Sequence, residues 1–194
     1  MASYKAIAAT SQAILGLLAD AAPKPEFAAA RFELFQAINL QTPLDEGVSL
    51  YLYRVVPNQS RRCLPPRVGP DGVRYKPSVP VDLHYLLTAW GKSAERQQRL
   101  LGWAIRTLED STILPSGLLN HYGPEPDAFG PNETVELVMD SIVIQDMGSL
   151  WEVARHHYQP SVVYIARMIT LDSEIELGDA GLVQTREFGM AKQS

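Results

Sequence analysis

The sequence predicts an α+β fold: a mixed, mostly antiparallel β-sheet of about four to five strands, flanked by an N-terminal helix and a longer middle helix. Three observations point there. Several stretches alternate apolar and polar side chains with a period of two, as strands do. Two others place apolar residues at helical spacing. The connections between them are mostly loops rich in Pro and Gly rather than regular crossover helices, so a mixed or mostly antiparallel sheet with helices on one side is expected.

Taken in order, Ile7, Ile14, Leu15 and Leu18 mark one face of an amphipathic helix over Ser3 to Ala19, ended by Asp20 and the Pro23-Lys24-Pro25 run. In RFELFQAINL, Phe32, Leu34, Ile38 and Leu40 fall on one side and Arg31, Glu33 and Asn39 on the other, which reads as a strand; Phe32 and Phe35 also fit a short helix. Val48 to Val56 is β-branched, aromatic and alternating, a strand that Pro57 stops. Asn58 to Ser78 is a long connection with the turn signal Gly69-Pro70-Asp71-Gly72. Connections of that length are usually functional or mobile.

Val79 to Leu108 is the central unit. Val79, Val81, Leu83, Tyr85 and Leu87 form one face of a strand, with Asp82, His84 and Thr88 on the other. Gly91 breaks it, Ser93 is placed to cap a helix with Glu95 in its first turn, and Leu100, Leu101, Ala104, Ile105 and Leu108 form the stripe to be buried. Leu114 to Asn132 reads as loop. A third strand is expected over Val135 to Ile144, then a short helix SLWEVARHHY opened by a Ser149/Glu152 capping box and closed by Pro160. Ser161 to Leu171, apolar on both sides, is expected to be a central strand. The chain thus divides into one domain over residues 1–173 and a polar tail over 174–194, in which LVQTREF fits an edge strand, in this chain or against another.

Composition narrows function more than it identifies it. The 194 residues are 46% hydrophobic and 20% charged with a net charge of −5, an ordinary globular balance that gives no global reason to expect nucleic acid. No apolar run approaches the roughly 20 residues that span a bilayer, and the start is poor for a signal peptide. The single cysteine, Cys63, excludes an internal disulfide framework and fits synthesis in the cytoplasm. The charge is segregated. Arg54, Arg61, Arg62, Arg67, Arg74 and Lys76 face one acid, Asp71, between positions 54 and 76; Thr107 to Ala154 has no Lys or Arg but carries Glu109, Asp110, Glu125, Asp127, Glu133, Glu136, Asp140, Asp146 and Glu152. Two solvated surfaces explain this, and so does a subunit whose basic loop meets the acidic face of a neighbour. The interface candidates are Arg54, Arg61, Arg62, Arg67 and Arg74 on one side and Glu133, Glu136 and Asp140 on the other.

The search for chemistry yields little. Asp82 and His84 share a strand face and suit proton sharing, but no HExxH, CxxC or HxH spacing supplies a third group. His156 and His157 are adjacent on a helix and diverge, and His121 lies in a Pro/Gly loop. No glycine-rich phosphate loop and no GxSxG elbow occurs. Cys63 follows Arg61 and Arg62, which lower a thiol pKa, but lacks a dedicated base. No catalytic, metal or cofactor-binding residue is therefore assigned. A small hydrolase using Asp82 and His84 stays as the alternative.

Three blocks carry a resemblance: SLYLYRVVPNQ before a Pro-rich loop, PVDLHYLLTAWG followed by AERQQRLLGWAIRTLED, and WEVARHHYQPSVVYIARMITLDS. In that order and separation, over about Tyr4 to Ser173, the chain resembles the cap, or tail-terminator, family of contractile injection systems, phage-tail-like particles such as the antifeeding prophage and the Photorhabdus virulence cassettes. The resemblance implies a non-enzymatic structural protein. It would assemble as a hexameric ring that ends the inner tube and anchors the last sheath ring, with inner tube and sheath proteins as partners and with neither nucleic acid nor membrane. A non-capping adaptor or baseplate component of such a particle is the nearest alternative.

Overall fold

The architecture comes from a computed structural model, which describes residues 2–42, 44–61, 64–69, 72–152 and 158–178. In chain order the elements are α1 (Ala6–Ala21), β1 (Arg31–Phe35), a 3-10 helix (Ala37–Gln41), β2 (Gly47–Pro57), β3 (Arg67–Val68), β4 (Arg74–Tyr75), β5 (Val79–Trp90), α2 (Ala94–Glu109), β6 (Ile113–Pro115), α3 (Ser116–Tyr122), β7 (Thr134–Asp140), α4 (Ile144–Glu152) and β8 (Ser161–Leu171). The α+β class holds. The main sheet has six strands rather than four or five, in the order β1-β2-β5-β8-β7-β6, and β3-β4 form a separate hairpin. Every pairing in the main sheet is antiparallel except β1 with β2. β8 lies between β5 and β7, where its two apolar sides require it to be.

The sheet buries both faces, so the expectation of helices on one side fails. On the first face α1, α2 and α3 cover Val48, Leu50, Leu83, Tyr85, Leu87, Val135, Leu137 and Tyr164. The side of α1 that meets α3 carries small residues: Ala6, Ala9 and Ala13 are fully buried, Ala9 lies beside Gly123, and Tyr122 of α3 packs over Gly16. Where α1 meets the sheet, the buried hydroxyls of Ser11 and Tyr85 bond to each other at 2.8 Å. Helix α2 buries Leu100, Ala104 and Leu108, its first turn held by the Ser93 hydroxyl accepting from Arg96 N. It is no longer than α1, since both have 16 residues. On the second face a smaller cluster gathers Phe35, Leu40, Leu86, Trp90, Met147, Trp151 and Val163 under the 3-10 helix and α4.

Several local expectations shift. RFELFQAINL holds both readings in succession: the strand ends at Phe35, and the 3-10 helix begins after Gln36, whose N–H donates to Asn39 Oδ1. Leu114 to Asn132 is not all loop, because Pro115 ends a short strand and opens α3, which buries Leu119. The third strand stops at Asp140, so Ile142, Val143 and Ile144 do not extend it. Helix α4 starts at Ile144, and Ser149 lies inside it, donating to Gln145 O instead of capping. Packing decides this: a helix starting before Ser149 brings both Met147 and Trp151 onto Leu86, Trp90 and Val163. Arg62, Cys63, His156, His157 and residues 179–194 of the tail lie outside the described residues.

Candidate functional site

Two bulges shape the region around Asp82 and His84. In β2 the register slips between Leu52 and Arg54, making Tyr53 the extra residue; in β8 it slips opposite Asp82, between Ala166 and Ile169. At the second bulge Met168 adopts φ 63°, a left-handed backbone that a side chain disfavours. Asp82 holds it there. Its carboxylate accepts from Met168 N at 2.9 Å and from Asn58 Nδ2 at 2.9 and 3.1 Å, and Asn58 is itself 1% exposed. Asp82 is a backbone brace, and among the described residues no hydrogen bond joins it to His84. The imidazole instead stacks edge-on to Tyr53, with centroids 6.1 Å apart, opposite Arg54 in the β2 register. Burial, and then the Arg54 charge, push its pKa below the usual 6.5, against the smaller opposing pull of Asp140 and Asp82. The imidazole is neutral near pH 7.

The first bulge turns Tyr53 and Arg54 toward a cleft of about 550 Å³ between the sheet and α4. His84 and Tyr53 form its floor, Ile142, Val143 and Leu150 its apolar wall, and Asp140 and Asp146 its acidic lip. Neither acid has an ion-pair partner among the described residues. Burial, followed by Asp140, raises the Tyr53 pKa. Of these residues, sequence reasoning singled out Arg54, His84 and Asp140 as candidates. It missed the role of Asp146 and the apolar wall because it extended β7 through Ile144. The recoverable signal was Met147 and Trp151, four apart, which need a helix turn upstream.

The remaining candidates divide. Arg67 is bound inside its own subunit: its guanidinium stacks on Tyr75 at 4.4 Å, donates to Ser173 O at 3.1 Å and lies 3.8 Å from Asp172. Glu133 accepts from Ala2 N and Gly130 N, bracing the start of the chain against the loop before β7. Glu136 pairs with Arg167 at 3.4 Å. Arg61, Glu133 and Glu136 line one shallow cleft of about 230 Å³, so the structure brings these basic and acidic residues together within a single chain. Arg74 is exposed on the β3-β4 hairpin with no ion-pair partner among the described residues. His121 rests against the Tyr122 ring on α3. Among the described residues, no group of three or more His, Cys, Asp or Glu is placed to hold a metal ion, and no helix is long and apolar enough to cross a membrane.

Comparison with known proteins gives this fold a family. The profile described as the Pvc16 N-terminal domain matches residues 9–185. Among solved structures, the fold is similar to the sheath/tube terminator, in the extended state, of the extracellular contractile injection system PVC. That match has 14% identity and a TM-score of 0.61, covering 96% of this chain and 63% of that one. It is also similar to the tube-terminating cap of the anti-feeding prophage, at 15% identity and a TM-score of 0.57, covering 95% of this chain and 60% of that one. The chain thus spans less than two thirds of the length of either solved chain. No curated protein matches it in sequence. With the family profile running over most of its residues, the chain belongs to the Pvc16 N-terminal domain family.

Proposed function

We propose that this protein is a structural subunit that terminates the tube of a contractile injection particle, assembling as a ring of six copies on the end of the inner tube and contacting the last sheath ring. The observation that carries the reading is that nearly the whole chain shares its fold with two proteins described as a terminator and a cap, and that the chain itself belongs to the Pvc16 N-terminal domain family. The local chemistry agrees with a role without catalysis, because Asp82 uses its carboxylate to brace the β8 bulge rather than to orient His84. Imaging particles from a strain that lacks the gene tests this. Tubes of irregular length, detached sheaths or missing terminal density support the terminator. Normal ends overturn it, and a label found at the opposite end identifies an adaptor or baseplate component instead.

A further inference from the structure

The β3-β4 hairpin is built to present two side chains. Arg67 pairs with Tyr75 and Val68 with Arg74 across the two strands. Arg67 and Tyr75 turn toward the body, where Asp172 and Ser173 hold the guanidinium. Cross-strand pairs alternate faces, so Val68 and Arg74 must point away from it. Val68 is accordingly 63% exposed, and Arg74 and Lys76 are exposed with no ion-pair partner among the described residues. The projection is anchored at its base. Glu176 bridges to Tyr75, Leu177 N donates to Arg74 O, Lys76 N donates to Ile175 O, and Gly72 makes the turn at φ 78°.

The cleft beside α4 is the converse shape. Val143, 62% exposed, and Leu150 offer an apolar wall, Asp140 and Asp146 offer two carboxylates without an ion-pair partner among the described residues, and Arg54 is the one basic side chain among the described lining residues once His84 is neutral. Its volume of about 550 Å³ takes a few side chains.

We infer that the hairpin of one copy docks into the α4 cleft of the next, Val68 against Val143 and Leu150, with Arg74 and Lys76 on Asp140 and Asp146. This gives the ring reading its contact and rests on that reading for closure. Knob and cleft are different patches of one chain, so the contact is heterologous, and heterologous contacts close into rings or propagate as helices.

Two measurements on the full chain test it. In the first, sedimentation of Arg74→Glu/Lys76→Glu, and separately of Asp140→Lys/Asp146→Lys, should show self-association weakened at least tenfold. The chain carrying all four reversals should recover it. In the second, Val68→Cys and Val143→Cys are combined in a Cys63→Ser background and treated with a short bismaleimide, which should give a ladder of covalently linked copies. Association unchanged by either reversal, or absence of the ladder at concentrations where copies associate, overturns the contact. So does a wild-type chain that stays monomeric and yields no ladder. If the ladder is absent while gene deletion still strips particle ends, the contact fails and the terminator reading stands; the opposite pattern separates them the other way.

Discussion

Met168 shows how one residue sets the requirements of others. A non-glycine residue at φ 63° costs about 1–2 kcal/mol, and it persists here because Asp82 accepts the Met168 N–H that the bulge removes from the ladder. Asp82→Ala should therefore destabilise the protein by roughly 1–3 kcal/mol, leaving that N–H and the Asn58 amide without their acceptor. Met168→Gly should be neutral or stabilising by up to ~1 kcal/mol, whereas Met168→Val should cost at least that much. Urea denaturation of the three variants checks the order, and Asp82→Ala unfolding at the wild-type midpoint would remove the bracing role. His84 carries a pH dependence with a definite sign. Its folded pKa is depressed, so between that value and about 6.5 the unfolded chain binds more protons. Stability from this group is fully present above 6.5 and falls as pH drops through that window. His84→Gln should flatten that part of a stability–pH curve measured between pH 7.5 and 5. The aspartate and histidine were legible as a pair on one strand face, but their separate duties were not, because the brace depends on a bulge in a strand more than 80 positions away.

At the scale of elements, what the sequence revealed followed from periodicity and length. The strands over Gly47–Pro57, Val79–Trp90 and Ser161–Leu171, and the helices Ala6–Ala21 and Ala94–Glu109, were each long enough for a pattern to repeat. β3, β4, β6 and α3 were not visible, since two to seven residues interrupted by Pro and Gly offer no full period and depend on their partners for existence. The α1–α3 contact illustrates that dependence. A methyl group on Gly16 would sit 2.2 Å from the Tyr122 ring. Gly16→Ala should thus lose about 1–3 kcal/mol despite the higher helix propensity of alanine. In a Tyr122→Ala background the same substitution should become neutral or gain ~0.5–1 kcal/mol. Thermal unfolding of the four members of this double-mutant cycle measures the coupling, and additive effects would mean that α3 does not rest on α1.

For the whole molecule, the asymmetry between the sheet faces matters most. One face is sealed by three helices; the other is covered only in part, leaving the cleft beside α4 with two acids that have no ion-pair partner among the described residues. Contacts between copies that use exposed charges are screened, since the Debye length falls from roughly 30 Å at 0.01 M salt to about 3 Å at 1 M. Self-association should weaken steadily as sodium chloride is raised over that range, as followed by light scattering; tighter association at high salt would point to a wholly apolar contact. The strand order has a separate consequence, for the time course of folding. Among the described residues β8 is the last strand in sequence, yet it sits between β5 and β7, so β7 and β6 have no place in the sheet until β8 arrives. The β5–β8 pairing cannot form early: it joins segments such as Val79 and Leu171, which have to meet across nearly half of the chain. While the ribosome is still releasing the region before Ser161, β5 exposes an unpaired edge that is long and apolar, the kind of edge on which chains aggregate. Synthesis of this protein therefore carries its greatest hazard just before the eighth strand emerges, and slow translation or truncation there should send the chain to chaperones or inclusion bodies.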